Sequence, residues 1–269
     1  MRKTDGKKII SRSILAMMVG AMIITGGGVE TVLAKSAVIQ TSSTSSYEVV
    51  TADSYKKSVG NLTANIQTPK VQGSTTAIKN FNKKMAAYTA KIKKDFESDI
   101  KIDQNGYEEV TTTYQVKCNN ENFLSIQIET GIVMAGSNQF SKGFTLDKKT
   151  GKIITLKDLF KENSDYQTVI SKNIIAQMKA QMEKDESKSY FIGEDNGMNF
   201  KKIGKYQNFF INSKGRLVIS FDKYEVAPGY MGSVNFLIPK TAIANLLNNR
   251  AEIPFALAYG MDSPKYKAS

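Results

Sequence analysis

The side chains with the most chemical capacity in this chain are its carboxylates, its lysines and one thiol. The sequence has 25 acidic and 37 basic residues, no histidine and a single cysteine, Cys118. Without histidine there is no Ser-His or Cys-His pair and no imidazole base of the usual kind. One cysteine and no histidine also exclude ordinary zinc sites. A site made of carboxylates alone stays open, but no spacing indicates one, so we predict no catalytic residue, no metal and no cofactor.

Two smaller motifs favour structural roles. The run Glu194-Asp195-Asn196-Gly197 is similar to part of a calcium-binding loop, but the later ligands are missing at the required spacing. It therefore predicts a plain polar turn. Cys118 ends the strand-like run TTTYQVKC, which is typical of a small buried residue rather than a reactive thiol. A lone cysteine also excludes an internal disulfide.

The most unusual stretch is residues 221–239, FDKYEVAPGYMGSVNFLIP. Its flanks are rich in aromatic and β-branched residues, which favour strands. The central Ala227-Pro-Gly-Tyr-Met-Gly232 is too long for a two-residue hairpin, and it has large apolar side chains where polar turn residues are usual. These side chains either fold back on the core or face a partner.

The first 34 residues predict export. A basic start precedes an apolar run from Ser13 to Thr25, and small or modest residues lead to Ala34. We predict a signal peptide cleaved after Ala34 and a protein that is secreted or held at the cell surface. An uncleaved membrane anchor is the alternative, although the apolar run is short for a span. Residues 35–55, which begin Ser/Thr-rich, predict a flexible linker.

The charge is strongly basic, at +12 overall. Removal of residues 1–34 leaves 32 basic and 23 acidic residues, a net charge of +9. Such a protein could bind anionic cell-wall polymer or lipid headgroups. The lysines are spread through every segment rather than clustered, which favours a solvated surface, and we predict no nucleic-acid partner.

Hydrophobic periodicity predicts two long amphipathic helices. The first runs from Ser74 to about Ile100, with apolar residues three or four apart. Its stripe is Ile78, Phe81, Met85, Tyr88, Ile92 and Phe96. The second begins at a capping-box pattern, Ser164 to Gln167, and continues as Val169, Ile170, Ile174, Met178 and Met182.

Runs of period two predict the strands. One lies within residues 58–69, three lie within 107–146, and a hairpin at 206–224 precedes a last strand near 233–239. Pro239 would open a final helix that reaches Leu247. The order β-α-βββ-α-βββ-α predicts an α+β fold of antiparallel β-meanders packed against the two long helices. We divide the chain into an N-terminal module at 56–145, a C-terminal module at 146–250 and a tail at 251–269.

Two of these segments resemble a known family. FTLDKKTGKIITLKDLF (144–160) and FFINSKGRLVISFDKYEVAPGYMGSVNFLIP (209–239) resemble the extracytoplasmic domain of the RsiV family, membrane-bound anti-sigma factors of Gram-positive bacteria that sense lysozyme. The resemblance covers about residues 55 to 248. The N-terminal module also resembles the one that precedes the catalytic domain in some PdaC-type peptidoglycan deacetylases.

The resemblance implies a site, because RsiV-family domains bind lysozyme through their loops. It carries over residue by residue to Pro228 and Tyr230. We predict partner contacts at Glu225, Ala227, Pro228, Gly229, Tyr230, Met231, Ser137, Asn138 and Gln139. Pro228 would hold its loop in shape and so lower the entropy cost of docking. Tyr230 would be the buried anchor, a residue type enriched at binding hot spots. Since animal lysozymes are basic, Glu225 and Asp222 would supply local negative charge.

Two departures from the family refine this expectation. The family usually has Gly-Gly-Ala-His-Gly where this chain has Ala135-Gly-Ser-Asn-Gln139, without the histidine. About twelve residues precede the apolar run, too few for a sigma-binding helix, and there is no deacetylase domain. We therefore expect an exported, monomeric lysozyme-binding protein that masks the lysozyme active cleft as a decoy or inhibitor and contributes to lysozyme resistance. The alternatives are a module that binds peptidoglycan or another wall polymer, and a membrane-retained RsiV-like sensor.

Overall fold

A computed structural model describes residues 46–193 and 199–249. The predicted signal peptide, the start of the predicted linker, the turn at 194–197 and the predicted tail at 251–269 lie outside these described residues. Among the described helices, none combines the length and the apolar character needed to cross a bilayer.

The first half of the described chain forms a six-stranded sheet with one long helix. In chain order its elements are β1 (Val49–Val59), β2 (Asn61–Val71), α1 (Thr76–Ile102), β3 (Tyr107–Asn119), β4 (Phe123–Val133), β5 (Ser137–Asp147) and β6 (Lys152–Ile154). The strands are hydrogen-bonded in that same order. Neighbours are antiparallel except β2 and β3, which are parallel because α1 carries the chain back between them. The expectation of antiparallel meanders alone is therefore corrected to a mixed sheet.

β1 begins inside the segment predicted as a flexible linker. It pairs with β2 along its length, from Val49 opposite Val71 to Val59 opposite Leu62. Gly60-Asn61 joins the two strands as a two-residue turn, a dipeptide typical of tight hairpins. The sequence prediction missed β1 because its segment is polar. β1 is an edge strand whose side chains are mostly in solvent, so it lacks the apolar alternation of a buried strand.

α1 confirms the first predicted stripe. Thr75 caps it, since its Oγ1 accepts a hydrogen bond from the Ile78 amide at 3.2 Å. The predicted apolar positions are buried apart from half-buried Tyr88, and Phe81 and Met85 are fully enclosed. They pack against the inward face of the sheet, which includes Leu124, Ile126 and Ile128 of β4.

The second half builds a smaller sheet around a second core. Its elements are α2 (Tyr166–Lys184), β7 (Phe209–Ile211), β8 (Leu217–Phe221), β9 (Val234–Leu237) and α3 (Lys240–Ile243). The three strands are antiparallel in the order β7-β8-β9. The core behind them includes Ile174, Met178, Phe221, Phe236 and Leu247.

The fold class is α+β, as predicted, but its details differ from the sequence prediction. β1 and β6 are additional strands, and α3 ends at Ile243 rather than Leu247. The predicted capping box does not form at α2. Ser164 Oγ donates instead to the Lys161 carbonyl at 2.8 Å, and Gln167 Nε2 donates to the Ile203 carbonyl at 2.9 Å. These two tertiary and loop contacts use the groups that a local cap would need.

Buried polar contacts join the two sheets. Gln127 Nε2 on β4 donates to Ser220 Oγ on β8 at 3.3 Å, and the Ile211 amide of β7 donates to Ser125 Oγ at 3.2 Å. The predicted module boundary between residues 145 and 146 falls within β5. The described residues, 46–193 and 199–249, all belong to one compact unit, which contains both sheets.

Candidate functional site

The apolar loop between β8 and β9 is partly core and partly surface. Val226 and Ala227 are 1% exposed, and both belong to the core behind the smaller sheet. Ala227 is therefore a core residue that supports the loop from beneath, rather than a surface residue. Met231 is half-buried against the same core, and its Sδ accepts a hydrogen bond from the Ser189 amide at 3.3 Å.

Pro228 starts a single helical turn that presents Tyr230. The Met231 amide donates to the Pro228 carbonyl at 3.0 Å, and residues 229–231 form a 3-10 turn. Tyr230 lies at its apex with 71% of its surface exposed. A large exposed aromatic on a turn that is closed by its own hydrogen bond loses little freedom on docking.

Tyr224 is a second exposed aromatic in this loop, and sequence reasoning missed it. It is 57% exposed, and its main chain is left-handed with φ 70°. Its ring packs directly on Gly229, where an added Cβ would lie 2.2 Å from Tyr224 Cζ. A left-handed non-glycine residue is uncommon and costs energy, which is a signal only the backbone reveals.

Ser137, Asn138 and Gln139 are the start of β5 rather than part of a loop. They pair with the end of β4, with Ser137 opposite Val133 and Gln139 opposite Gly131. A short turn closes the hairpin, with the Met134 amide donating to the Gly136 carbonyl at 2.8 Å. Pairing with β4 orders their main chain, while all three side chains stay exposed.

The structure brings these two predicted segments together through Lys223. Its Nζ donates to the carbonyl and the Oγ of Ser137, at 2.8 and 2.7 Å, and its amide donates to the Gln139 carbonyl at 3.0 Å. A shallow depression of about 350 Å³ lies between the segments. Ser137, Asn138, Gln139, Gly229 and Tyr230 line it. The two segments that line it are about ninety residues apart in the sequence.

The two acidic residues of this loop, Asp222 and Glu225, form hydrogen bonds within the protein. Glu225 Oε2 accepts a hydrogen bond from the Asp222 amide at 2.8 Å, and Gln207 Nε2 lies 3.3 Å from Glu225 Oε1. Asp222 Oδ1 accepts from the Ser141 amide at 2.8 Å. Burial raises the pKa of the Asp222 carboxyl, although that hydrogen bond and nearby Lys142 lower it in part. Of the two groups predicted to attract a basic partner, Asp222 thus joins the loop to the larger sheet, and Glu225 bonds within the loop and to Gln207.

This arrangement presents exposed side chains that can contact a partner. No group of three or more acidic or cysteine side chains within residues 46–193 and 199–249 is placed to hold a metal ion. Cys118 is buried and free, as predicted, and burial raises the pKa of its thiol. Together the loop and the start of β5 form a surface with two exposed aromatic rings, Tyr224 and Tyr230, and with Lys223 held by its hydrogen bonds to Ser137.

Comparison with known proteins places the fold. Residues 157–241 match the family model described as a protein of unknown function, DUF3298. A DUF3298 protein from Bacteroides fragilis NCTC 9343 matches with a TM-score of 0.57 at 14% identity, over 78% of this chain and 97% of that one. One from Pseudomonas aeruginosa PAO1 matches with a TM-score of 0.53 at 12% identity, over 76% and 95%. At these identities the likeness concerns the fold alone, and the fold is that of a DUF3298 protein.

A sequence relative defines the family more narrowly. The anti-sigma-V factor RsiV of Bacillus subtilis (strain 168) is 38% identical over 184 residues, which are 68% of this chain. The chain spans 64% of the length of that relative. This chain therefore contains an RsiV-family domain.

Proposed function

We propose that this chain is an exported protein that binds lysozyme through the loop between β8 and β9 together with the β4–β5 hairpin. The RsiV-family domain supports lysozyme as the partner. Binding over the lysozyme active cleft would make the protein a decoy or inhibitor that contributes to lysozyme resistance. In this function the domain itself carries out no catalysis.

One observation carries the proposal. The two segments predicted to contact the partner adjoin in space, because Lys223 bonds to both Ser137 and Gln139. At their junction Tyr230 stands 71% exposed on a turn whose base, Ala227, is buried in the core. An exposed anchor on a rigid support is the usual form of a binding hot spot.

Electrostatic attraction contributes little to this proposed interface. The chain is basic overall, and animal lysozymes are basic as well, so the long-range fields of the two proteins repel. Asp222 already accepts a hydrogen bond from the Ser141 amide of β5, and Glu225 accepts one from the Asp222 amide within the loop. Affinity must then come from apolar burial of Tyr230, with Tyr224 beside it.

The test is binding of the purified chain to an immobilised animal C-type lysozyme. Tyr230→Ala is expected to raise Kd about 30-fold or more, because truncation of a hot-spot aromatic costs about 2 kcal/mol or more. Pro228→Ala is expected to weaken binding less, since it frees the turn without removing the anchor. A parallel assay measures how far each protein slows lysis of cell walls by lysozyme.

Tyr206→Ala is the matched control. Tyr206 is a tyrosine of similar exposure, 77%, and it does not line the depression beside Tyr230. Its replacement should leave lysozyme binding unchanged. Absence of binding by the wild-type chain, or equal losses for Tyr206→Ala and Tyr230→Ala, would contradict the proposed site.

A further inference from the structure

A large cleft lies apart from the depression beside Tyr230. It has a volume of about 1200 Å³ and lies between α1, the strands β3 to β5 and residues 199–208. Asp222 and Glu225 reach its wall, but Pro228, Tyr230 and Ser137 do not line it. A cleft of this size can hold several units of a chain-like ligand.

Glu108 gives this cleft a polar group without a partner. It lines the cleft from β3 and is 4% exposed. Among the described residues, no group forms a hydrogen bond with its buried Oε2. A carboxyl oxygen withdrawn from water without a hydrogen bond is costly, and such groups in native proteins call for an explanation. A ligand that supplies a donor would satisfy it.

Three carboxyls of this cleft have a pKa that is raised by loss of hydration. Burial raises the pKa of Glu108, with a further contribution from the charge of Asp99. Burial likewise raises the pKa of Asp222 and of Glu225. Several carboxyls with raised pKa in one cleft are typical of a site that binds a ligand.

The charges that line the cleft are balanced. Its five carboxylates are Asp95, Asp99, Glu108, Asp222 and Glu225. Its five lysines are Lys91, Lys142, Lys201, Lys202 and Lys205. A binding site for a polyanion or a polycation has an excess of the opposite sign, so this lining favours a ligand with no net charge.

Aromatic rings supply the apolar part of the lining. Tyr88, Phe140, Phe200 and Tyr206 all contribute to the wall. Tyr206 is 77% exposed, and Lys205 Nζ lies 5.3 Å from its ring centroid. An exposed tyrosine has both an apolar face and a polar end. A ligand that uses it must therefore combine flat apolar patches with hydroxyl groups.

We propose that this cleft binds a neutral oligosaccharide, with Tyr206 stacked against a sugar ring and Glu108 accepting a hydrogen bond from a sugar hydroxyl. A pyranose ring presents an apolar face of C–H groups and a rim of hydroxyl donors and acceptors, which matches the balanced, aromatic lining. The site is additional to the proposed lysozyme surface. Plain and N-acetylated sugars both have this apolar face and hydroxyl rim, so either kind fits the proposal.

The test measures binding of two oligosaccharides to the full chain by calorimetry and by ligand-observed NMR. The probes are the β-1,4-linked tetramer of glucose and that of N-acetylglucosamine, which separate the two sources of the chemistry. Binding of either one is expected. Tyr206→Ala should raise Kd about three- to tenfold through loss of stacking. Glu108→Gln keeps the shape but removes the carboxylate, and it should raise Kd about tenfold.

Controls separate this site from the lysozyme surface and from misfolding. Tyr230→Ala should bind the oligosaccharide as the wild type does. The midpoint of thermal unfolding of Glu108→Gln should not be lower than that of the wild type, since the variant removes a buried carboxyl with a raised pKa. The proposal is overturned if neither tetramer binds up to about 10 mM, if polyphosphate binds more tightly than both, or if the cleft variants bind like the wild type.

Discussion

Tyr224 and Gly229 illustrate how single residues shape this surface. The Tyr224 ring lies where any side chain at position 229 would have to be, because an added Cβ would come within 2.2 Å of it. The main chain of Tyr224 is left-handed, with φ 70°. A position with φ 70° disfavours a bulky residue by roughly 1 kcal/mol or more. The packing of these two residues must offset that cost.

Asp222 is the residue whose titration should be visible in stability. Folding raises the pKa of its carboxyl, mainly by burial. Between the unfolded and the folded pKa the folded chain binds more protons, so the free energy of unfolding falls as pH rises through that window. Asp222→Asn removes this term while an amide oxygen can still accept from the Ser141 amide.

The expected result for Asp222→Asn is a stability relative to wild type that increases as pH rises above the ordinary aspartate pKa of about 4. Urea unfolding at several pH values measures it. Lys142→Gln is a useful comparison, because it removes a charge that lowers the Asp222 pKa and should steepen the wild-type trend. A stability difference for Asp222→Asn that is the same at every pH would contradict the assignment.

At the scale of elements, periodicity predicted the helices better than the sheet. The stripe of α1 is visible in its own residues, and the structure shows Thr75 as its N-cap. β1 was missed because an edge strand needs few apolar side chains. The parallel pairing of β2 with β3 was missed as well, since it depends on where α1 returns the chain.

β5 and β7 approach each other too closely for a side chain at their crossing. Gly143 on β5 donates its amide to Asn208 Oδ1 at 2.8 Å, and an added Cβ would lie 2.1 Å from the Phe209 carbonyl oxygen. That oxygen belongs to the main chain and cannot swing away. Gly143→Ala should therefore force the sheets apart and lower the free energy of unfolding by about 1–3 kcal/mol.

Gly136→Ala is the matched control for this prediction. Gly136 lies in the β4–β5 turn, no atom lies within 4 Å of its added Cβ, and its φ is outside the left-handed region. Its substitution should stay within about 0.5 kcal/mol of the wild type in urea unfolding. Equal stability of the two variants would show that the crossing of β5 and β7 tolerates a side chain.

At the scale of the whole molecule, the two sheets share a buried polar seam. Gln127, Ser141 and Ser220 are all buried where β4, β5 and β8 meet, and their side chains lie within hydrogen-bond distance of one another. If one sheet opened alone, these groups would lose partners without gaining a full water shell, which is costly.

We therefore expect one cooperative unfolding transition. Far-UV circular dichroism reports both sheets, while near-UV circular dichroism reports the tyrosine rings. The two thermal transitions should have the same midpoint, as two-state unfolding requires. Two separated midpoints would instead indicate that the larger sheet with α1 and the smaller sheet with α2 unfold independently.

The sequence by itself determined the classes of structure and chemistry available to this protein. The lack of histidine removed the usual nucleophile and zinc sites, the apolar stripe predicted α1, and the apolar residues around Pro228 and Tyr230 predicted a loop that either packs on the core or faces a partner. These properties are local, since they depend on residue type and on spacing within one element.

Only the tertiary structure decided which of those residues reach the surface together. It buried Ala227 while exposing Tyr230, brought Ser137 to Lys223, and left a buried carboxyl oxygen of Glu108 at a cleft. Burial and hydrogen bonding between residues so distant in the chain depend on how the sheets pack. The spacing of residues within one element does not predict that packing. The candidate residues could therefore be listed from the sequence, but their arrangement in space could not be predicted from it.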